Sequence, residues 1–344
     1  MHEPGGTPGA CGPQHRLAGL VAPLTARASA TRPPHPVPVG GRAPASRVTV
    51  AAPARRVASL RPAGAPRTAF VLAGGAALGA MQAGMLHALY ERGVVPDLLV
   101  GTSAGALNAA YVASRPQTVA TARGLAAVWC GLRRKDVFPL RPATLLPGLT
   151  GRSDHLATDR GLRRLAARHL QITRLEDASI PLHLIAWDLL SGQEARLSEG
   201  PTIEAVLAAA AIPGLLPPVR LDGRLLTDGG VANNTPISHA IALGAERIYV
   251  LPTSDPAAPT APRPPRSVPA AAASALTHLL SARLQADLAR YATTAEIITL
   301  PATNPQRISL TSFSHAPQLI AQALTAARTV LAAHDAHPAR ARAS

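Results

Sequence analysis

Lysine is all but missing from this chain: Lys135 is the single lysine among 34 basic residues, the rest being arginine. Aromatic residues make up only 3% of the 344 positions, so no basic stretch is interleaved with the stacking side chains that single-stranded nucleic acid needs. Nucleic acid is therefore not an expected partner, in spite of a formal net charge of +15. Much of that charge is local, because residues 1–66 hold eight arginines against Glu3 alone. Two cysteines, Cys11 and Cys130, are too few for a disulfide framework. The twelve histidines show no metal-ligand spacing, and His334-Asp335-Ala336-His337 stands beside a proline near the C-terminal end. Neither a metal nor an organic cofactor is expected. The opening residues lack the basic stretch and apolar core of a secretory signal, and a cytoplasmic location is the expectation. Thr68–Tyr90 is free of Asp, Glu, Lys and Arg and is long enough to span a bilayer. Gly74, Gly75, Gly79 and Gly84 interrupt it, however, and a strand, a loop and a helix describe it better.

Apolar residues supply 47% of the chain, enough for a sizeable core. Residues 1–66, rich in Pro, Ala, Gly and Arg without periodicity, read as a disordered extension. A folded domain is expected over 67–334, with 335–344 as a disordered tail. Within the domain, Ala69–Leu72, Leu98–Val100, Pro181–Trp187, Arg247–Leu251 and Glu296–Leu300 read as strands. A helix carries Leu78, Met81, Met85 and Leu89 at steps of three and four, and Gly93 stops it. Asp222-Gly223 marks a hairpin between Val219–Leu221 and Arg224–Leu226. Residues 117–180 read as helical with loops, and further helices follow at 202–211, 236–243, before 295 and at 316–333. The alternation predicts an α/β fold of three layers, α/β/α, around a largely parallel central sheet.

Three motifs carry candidate chemistry. Gly101-Thr102-Ser103-Ala104-Gly105 sits between an apolar strand and a helix-forming run, the layout of a nucleophile elbow that presents a serine hydroxyl above a sheet. Small residues at 101 and 105 suit the tight turn. Gly74-Gly75-Ala76-Ala77-Leu78-Gly79 lies between a strand and a helix. Its backbone amides could cradle a phosphate or stabilise the oxyanion of an acyl-transfer intermediate. The serine elbow one βα unit away favours the oxyanion. Thr227-Asp228-Gly229-Gly230 follows the hairpin and is by itself compatible with a simple turn. Ser103 needs a base, and His239, His278 and His315 stand in the chain order of a Ser…His hydrolase beside the alternative, Asp228.

Together the three motifs, in this order, resemble the patatin-like phospholipases, lipid acyl hydrolases with a Ser–Asp dyad. The likeness covers residues 68–251 and extends to Val94–Val100, Ala186–Gly192, Ala211-Ile212-Pro213-Gly214 and Asn233-Asn234-Thr235-Pro236. It implies Ser103 as nucleophile and Asp228 as base. It implies an oxyanion hole from Gly74, Gly75, Ala76 and Gly79, with Gly101, Gly105, Gly229 and Gly230 as motif glycines. A lipid or phospholipid ester is the implied substrate; peripheral contact with an anionic membrane surface is open, and Arg133-Arg134-Lys135 could touch one, although a solvated helix end is the simpler reading of that run. Acyl transfer, thioester cleavage or non-catalytic lipid binding remain open alternatives. Two departures stand out: Ala76 takes the third glycine position, tolerable where its φ is negative, and Leu78 takes the place of the family's basic residue.

Overall fold

A computed structural model of the chain describes residues 65–255, 267–302 and 310–336. Nearly all of the expected extension, most of the C-terminal tail and most of the Pro-rich connection at 252–268 lie outside these residues. In chain order the strands are β1 (Thr68–Leu72), β2 (Leu98–Thr102), β3 (Leu182–Asp188), β4 (Gln193–Leu197), β5 (Val219–Leu221), β6 (Arg224–Asp228), β7 (Arg247–Leu251) and β8 (Glu296–Thr299). The helices are α1 (Met81–Glu91), α2 (Ala104–Ala113), α3 (Val119–Gly131), α4 (Arg134–Val137) and α5 (Pro142–Leu149), then α6 (Arg160–His169), α7 (Thr202–Ala209), α8 (Ile237–Ala242), α9 (Val268–Tyr291) and α10 (Ala316–Ala336).

The strands form one sheet in which β1, β2, β3, β7 and β8 run parallel, while β4, β5 and β6 are antiparallel to their neighbours. The central strands read as mostly apolar runs because both faces are covered, as parallel sheets require. Phe70 and Leu72 pack on one side with Leu99, Leu184 and residues of α1, α2, α3 and α10. Ala69 and Val71 pack on the other with Val100, Ile237 of α8 and Leu284 of α9. Two apolar clusters, one per face, make the expected three layers. Sheet and helices approach closely enough that some positions admit no side chain. A Cβ on Gly84 of α1 would lie 2.2 Å from the Ile320 carbonyl oxygen of α10.

The antiparallel strands place the site. Leu184–Asp188 of β3 pair with β4 along one edge. On the opposite edge Leu182–Ile185 pair with β2, and Ala186–Asp188 pair with β6. β2 and β6 thus run toward each other along a shared edge, and their C-terminal ends, Thr102 and Asp228, stand opposite consecutive β3 residues, Ile185 and Ala186. β4 was not expected from the sequence. Its stretch Gln193-Glu194-Ala195-Arg196-Leu197 is polar, but it alternates in burial as a one-sided edge strand does. Among the described residues no helix is long and apolar enough to cross a membrane, and Thr68–Tyr90 divides into β1, a loop, a 3₁₀ turn at Ala76–Ala80 and α1.

Candidate active site

Ser103 is the junction between β2 and α2. Its backbone, at φ 54° and ψ −123°, occupies a region that L-residues rarely adopt. The turn is held in place from both sides: Ser103 N–H donates to the Ala209 carbonyl at 3.0 Å, and Thr102 Oγ1 donates to the Asn233 carbonyl at 3.0 Å. The flanking glycines answer a spatial demand rather than a dihedral one. A Cβ on Gly105 would lie 2.1 Å from the Leu72 carbonyl oxygen, and one on Gly101 would lie 2.5 Å from the Gly105 carbonyl oxygen.

Asp228 ends β6, its N–H donating to the Ala211 carbonyl at 2.9 Å. Ser103 Oγ donates to Asp228 Oδ2 at 2.6 Å, and Gly230 N–H donates to Asp228 Oδ1 at 2.8 Å. Both side chains are buried. Burial pushes the Asp228 carboxyl from 3.8 up to about 6, against the two hydrogen bonds, which favour its charged form. Gly229 lets this turn lie against β3: a Cβ there would sit 2.3 Å from the Ile185 carbonyl oxygen.

The glycine loop shows which of its amides are available. Gly74 N–H donates to the Asn234 carbonyl at 3.0 Å, and the Gly74 carbonyl accepts from Asn234 Nδ2 and Thr253 Oγ1. Gly74 is therefore tied down rather than open to a ligand, which corrects its expected place among the donors. Gly79 also departs from that role. It lies inside the 3₁₀ turn, where a Cβ would be 2.7 Å from that of Ala104 and 3.1 Å from the Trp129 ring, so its smallness serves packing. Among the described residues, no hydrogen-bond acceptor meets the amides of Gly75 and Ala76. Ala76 has φ 47°, in the left-handed region, so the condition of a negative φ under which an alanine is easily tolerated there is not met.

Beneath the loop lies a buried polar network that sequence reasoning missed. Asn108 Nδ2 donates to the Gly79 carbonyl at 3.0 Å and to Gln82 Oε1 at 2.8 Å, while its Oδ1 accepts from Trp129 Nε1 at 2.9 Å. Gln82 Nε2 in turn donates to the carbonyls of Ala73 and Leu251. The network joins α1, α2 and α3 to the loop. Its one signal in the sequence was a lone amide in each of two otherwise apolar helix runs.

Above Ser103 opens a cleft lined by Ala76, Leu107, Phe138, Leu162, Ile212 and Phe313 among others. Ser103 supplies the only hydroxyl of this lining. Its shape and chemistry suit a hydrocarbon chain whose polar end lies at the serine.

The sequence profile of the family described as patatin-like phospholipase matches residues 70–241, half of the chain. The chain belongs to the patatin-like phospholipases. An uncharacterized NTE family protein of Mycobacterium tuberculosis is 30% identical over 196 residues, which are 56% of this chain and 51% of that protein. The human patatin-like phospholipase domain-containing protein 6 is 30% identical over 53% of this chain and 13% of its own length. The lysophospholipase NTE1 of Mycosarcoma maydis is 28% identical over 53% of this chain and 9% of its own. The chain thus spans about half the length of the mycobacterial relative and far less of the other two. Among solved structures, VipD from Legionella pneumophila superimposes with a TM-score of 0.41 at 16% identity, covering 78% of this chain and 67% of that one.

Against that patatin-like frame, none of the histidines left open by the sequence lines the cleft, and the Ser103 hydroxyl is bonded to Asp228 instead. His239 pairs with Glu194 of β4 at 2.7 Å, His278 is exposed on α9, and His315 Nδ1 lies 2.8 Å from Ser312 Oγ. Leu78, at the patatin-like basic position, is buried in the core beside α1. Asp188 shapes the turn before Gly192, accepting from Leu190 N–H and Ser191 Oγ.

Proposed function

We propose that this chain is a serine-dependent lipid acyl hydrolase that cleaves carboxylic esters of phospholipids or related lipids through an acyl-enzyme on Ser103. The observation that carries the reading is the 2.6 Å contact between Ser103 Oγ and Asp228 Oδ2 at the floor of an apolar cleft. Membership of the patatin-like family and the lysophospholipase named among its relatives support the substrate class.

In this reading the substrate's acyl chain lies in the cleft, with its ester carbonyl over Ser103 and its oxygen toward the amides of Gly75 and Ala76. The Ser103 O–H bond breaks as Oγ bonds to the carbonyl carbon, and the proton passes to Asp228 Oδ2. The tetrahedral intermediate collapses, the ester C–O bond breaks, and the proton moves on to the departing alkoxide. Water then attacks the acyl-enzyme and gives a proton to Asp228. Collapse frees the fatty acid and returns a proton to Ser103 Oγ. A carboxylate at its ordinary value is a weak base for a hydroxyl, and burial raises its basicity toward the working pH. With Leu78 where a cation could stand, oxyanion stabilisation falls to backbone dipoles alone.

The test is hydrolysis of a soluble short-chain ester and of lysophospholipid by the full chain, beside Ser103→Ala and Asp228→Asn. Each substitution is expected to lower kcat by a factor of about a thousand or more, with little change in KM. Turnover by Asp228→Asn within a few-fold of the parent would exclude Asp228 as the base.

A further inference from the structure

The segment from Arg133 to Arg152 borders the cleft on one side, and its outward surface mixes exposed leucines with basic residues. At its start, Val137 and Phe138 turn inward and line the cleft. The chain then leaves the core as α5, a helix without one buried residue. Leu140, Leu146 and Leu149 are 40%, 66% and 69% exposed. This is no loosely hung loop. Gly148 packs so close to residues 155–156 that a Cβ would lie 2.6 Å from the His155 carbonyl oxygen. Leu156 and Ala157 N–H donate to the carbonyls of Gly214 and Leu215, beside the cleft residues Ile212 and Leu216. Leu146 and Leu149 are therefore carried on a helix tied to the residues beside the cleft, with Leu140 just before its start.

Cations outnumber carboxylates around them, five against Asp136 within the segment and Asp154 just past its end. Arg133, Arg134, Lys135, Arg141 and Arg152 are exposed, and among the described residues none of them is in an ion pair. Exposed leucines on a segment with an excess of cations outside any ion pair match an anionic lipid surface, which takes apolar side chains below its headgroups and cations at their level. The arginine side chains can extend toward phosphates while their stems stay near the acyl boundary. The same charge argues against two other occupants. Residues 1–66 carry eight arginines and one glutamate, and a second copy brings its own net charge of +15. Either would set like charge against like.

We propose that Arg133–Arg152, with Leu140, Leu146 and Leu149 at its centre, is the surface that seats the protein on an anionic phospholipid bilayer, with the cleft mouth facing the lipid. The docking itself does not depend on the hydrolytic reading. What that reading adds is a consequence: a substrate acyl chain could pass from bilayer to Ser103 without crossing water.

The test is co-sedimentation of the full-length Ser103→Ala protein with vesicles of phosphatidylcholine alone or mixed equally with phosphatidylglycerol. The use of an inactive protein separates docking from turnover. Two sets of changes are compared in that background, L146S with L149S, and R133E with R134E and R141E. All five positions are solvent-exposed, and circular dichroism verifies the fold. The parent is expected to sediment with the mixed vesicles and far less with phosphatidylcholine. The charge variant should bind them roughly a hundredfold more weakly, and the leucine variant at least roughly tenfold more weakly. In the Ser103 background the same changes should leave hydrolysis of a soluble ester intact. Undiminished sedimentation of both variants would overturn the proposal and move binding to residues 1–66. Equal binding of the parent to both vesicle types would overturn it too. So would a dimer seen by analytical ultracentrifugation that the leucine changes dissolve.

Discussion

At Ser103 and Ala76, two residues with side chains hold φ values that glycine would take more readily. They face the same cleft, one carrying the hydroxyl and the other an unpartnered amide. Left-handed backbone at an alanine costs about 1 kcal/mol. Ala76→Gly should therefore raise stability by roughly 0.5–1 kcal/mol, read as a higher midpoint in urea, with ester turnover retained. A fall in stability would contradict the left-handed assignment. Asp228 permits a sharper pair of expectations. Its folded-state value of about 6 stands above the unfolded 3.8, so the folded protein holds this proton more tightly. The stability gained from the neutral carboxyl is complete at low pH and lost as pH rises through that window. Turnover of a soluble ester, which needs the carboxylate, should rise through the same window and level off above about 6. Asp228→Asn removes the buried charge, and at pH 7 it should stabilise the fold by up to about 3 kcal/mol while abolishing turnover. A lower melting temperature for this variant at pH 7 would count against the buried, desolvated carboxylate.

The elements explain why these residues meet. Ser103 and Asp228 are 125 positions apart, and no local spacing joins them. They meet because β2 and β6 end head to head on one edge of β3. The parallel strands were legible in the sequence because burial on both faces leaves mostly apolar runs, with His183 the polar residue inside β3. The elbow was legible because its glycines stand at fixed distances from the serine. β4 was not, since an edge strand reading Gln193-Glu194-Ala195-Arg196-Leu197, whose Glu194 is matched only by distant His239 and Asn233, resembles a polar loop. The φ of Ala76 was equally hidden, because nothing in a residue's identity records the backbone it is forced to adopt. Which amide of the glycine loop is closed depended on the Asn234 carbonyl, which takes the Gly74 N–H from 160 positions away along the chain. Helix contacts give a further expectation. Gly84→Val would drive a side chain into the Ile320–Leu324 backbone, forcing α1 and α10 apart. A loss of about 2 kcal/mol or more is expected, seen in chemical denaturation. An unchanged midpoint would mean the two helices do not cross at this glycine.

For the molecule as a whole, the sheet with its two helical layers is a rigid mount. It fixes a strained serine, a desolvated carboxylate and two unpartnered amides at the base of an apolar cleft, and leaves a basic, leucine-bearing rim at the opening. Salt should separate these functions at the scale of the whole protein. Raising ionic strength weakens attachment to anionic vesicles, whereas turnover of an uncharged soluble ester, governed by the buried pair, should change less than about twofold. Equal salt sensitivity of both would show that the charged rim takes part in the chemistry. The central claim is that Ser103 is a nucleophile activated by Asp228, and intact-mass analysis after exposure to a fluorophosphonate tests it most directly. One adduct per chain is expected, on the peptide containing Ser103, absent from Ser103→Ala and formed at least about a hundredfold more slowly in Asp228→Asn. An adduct on another residue, or labelling of Asp228→Asn at the parent rate, would contradict it.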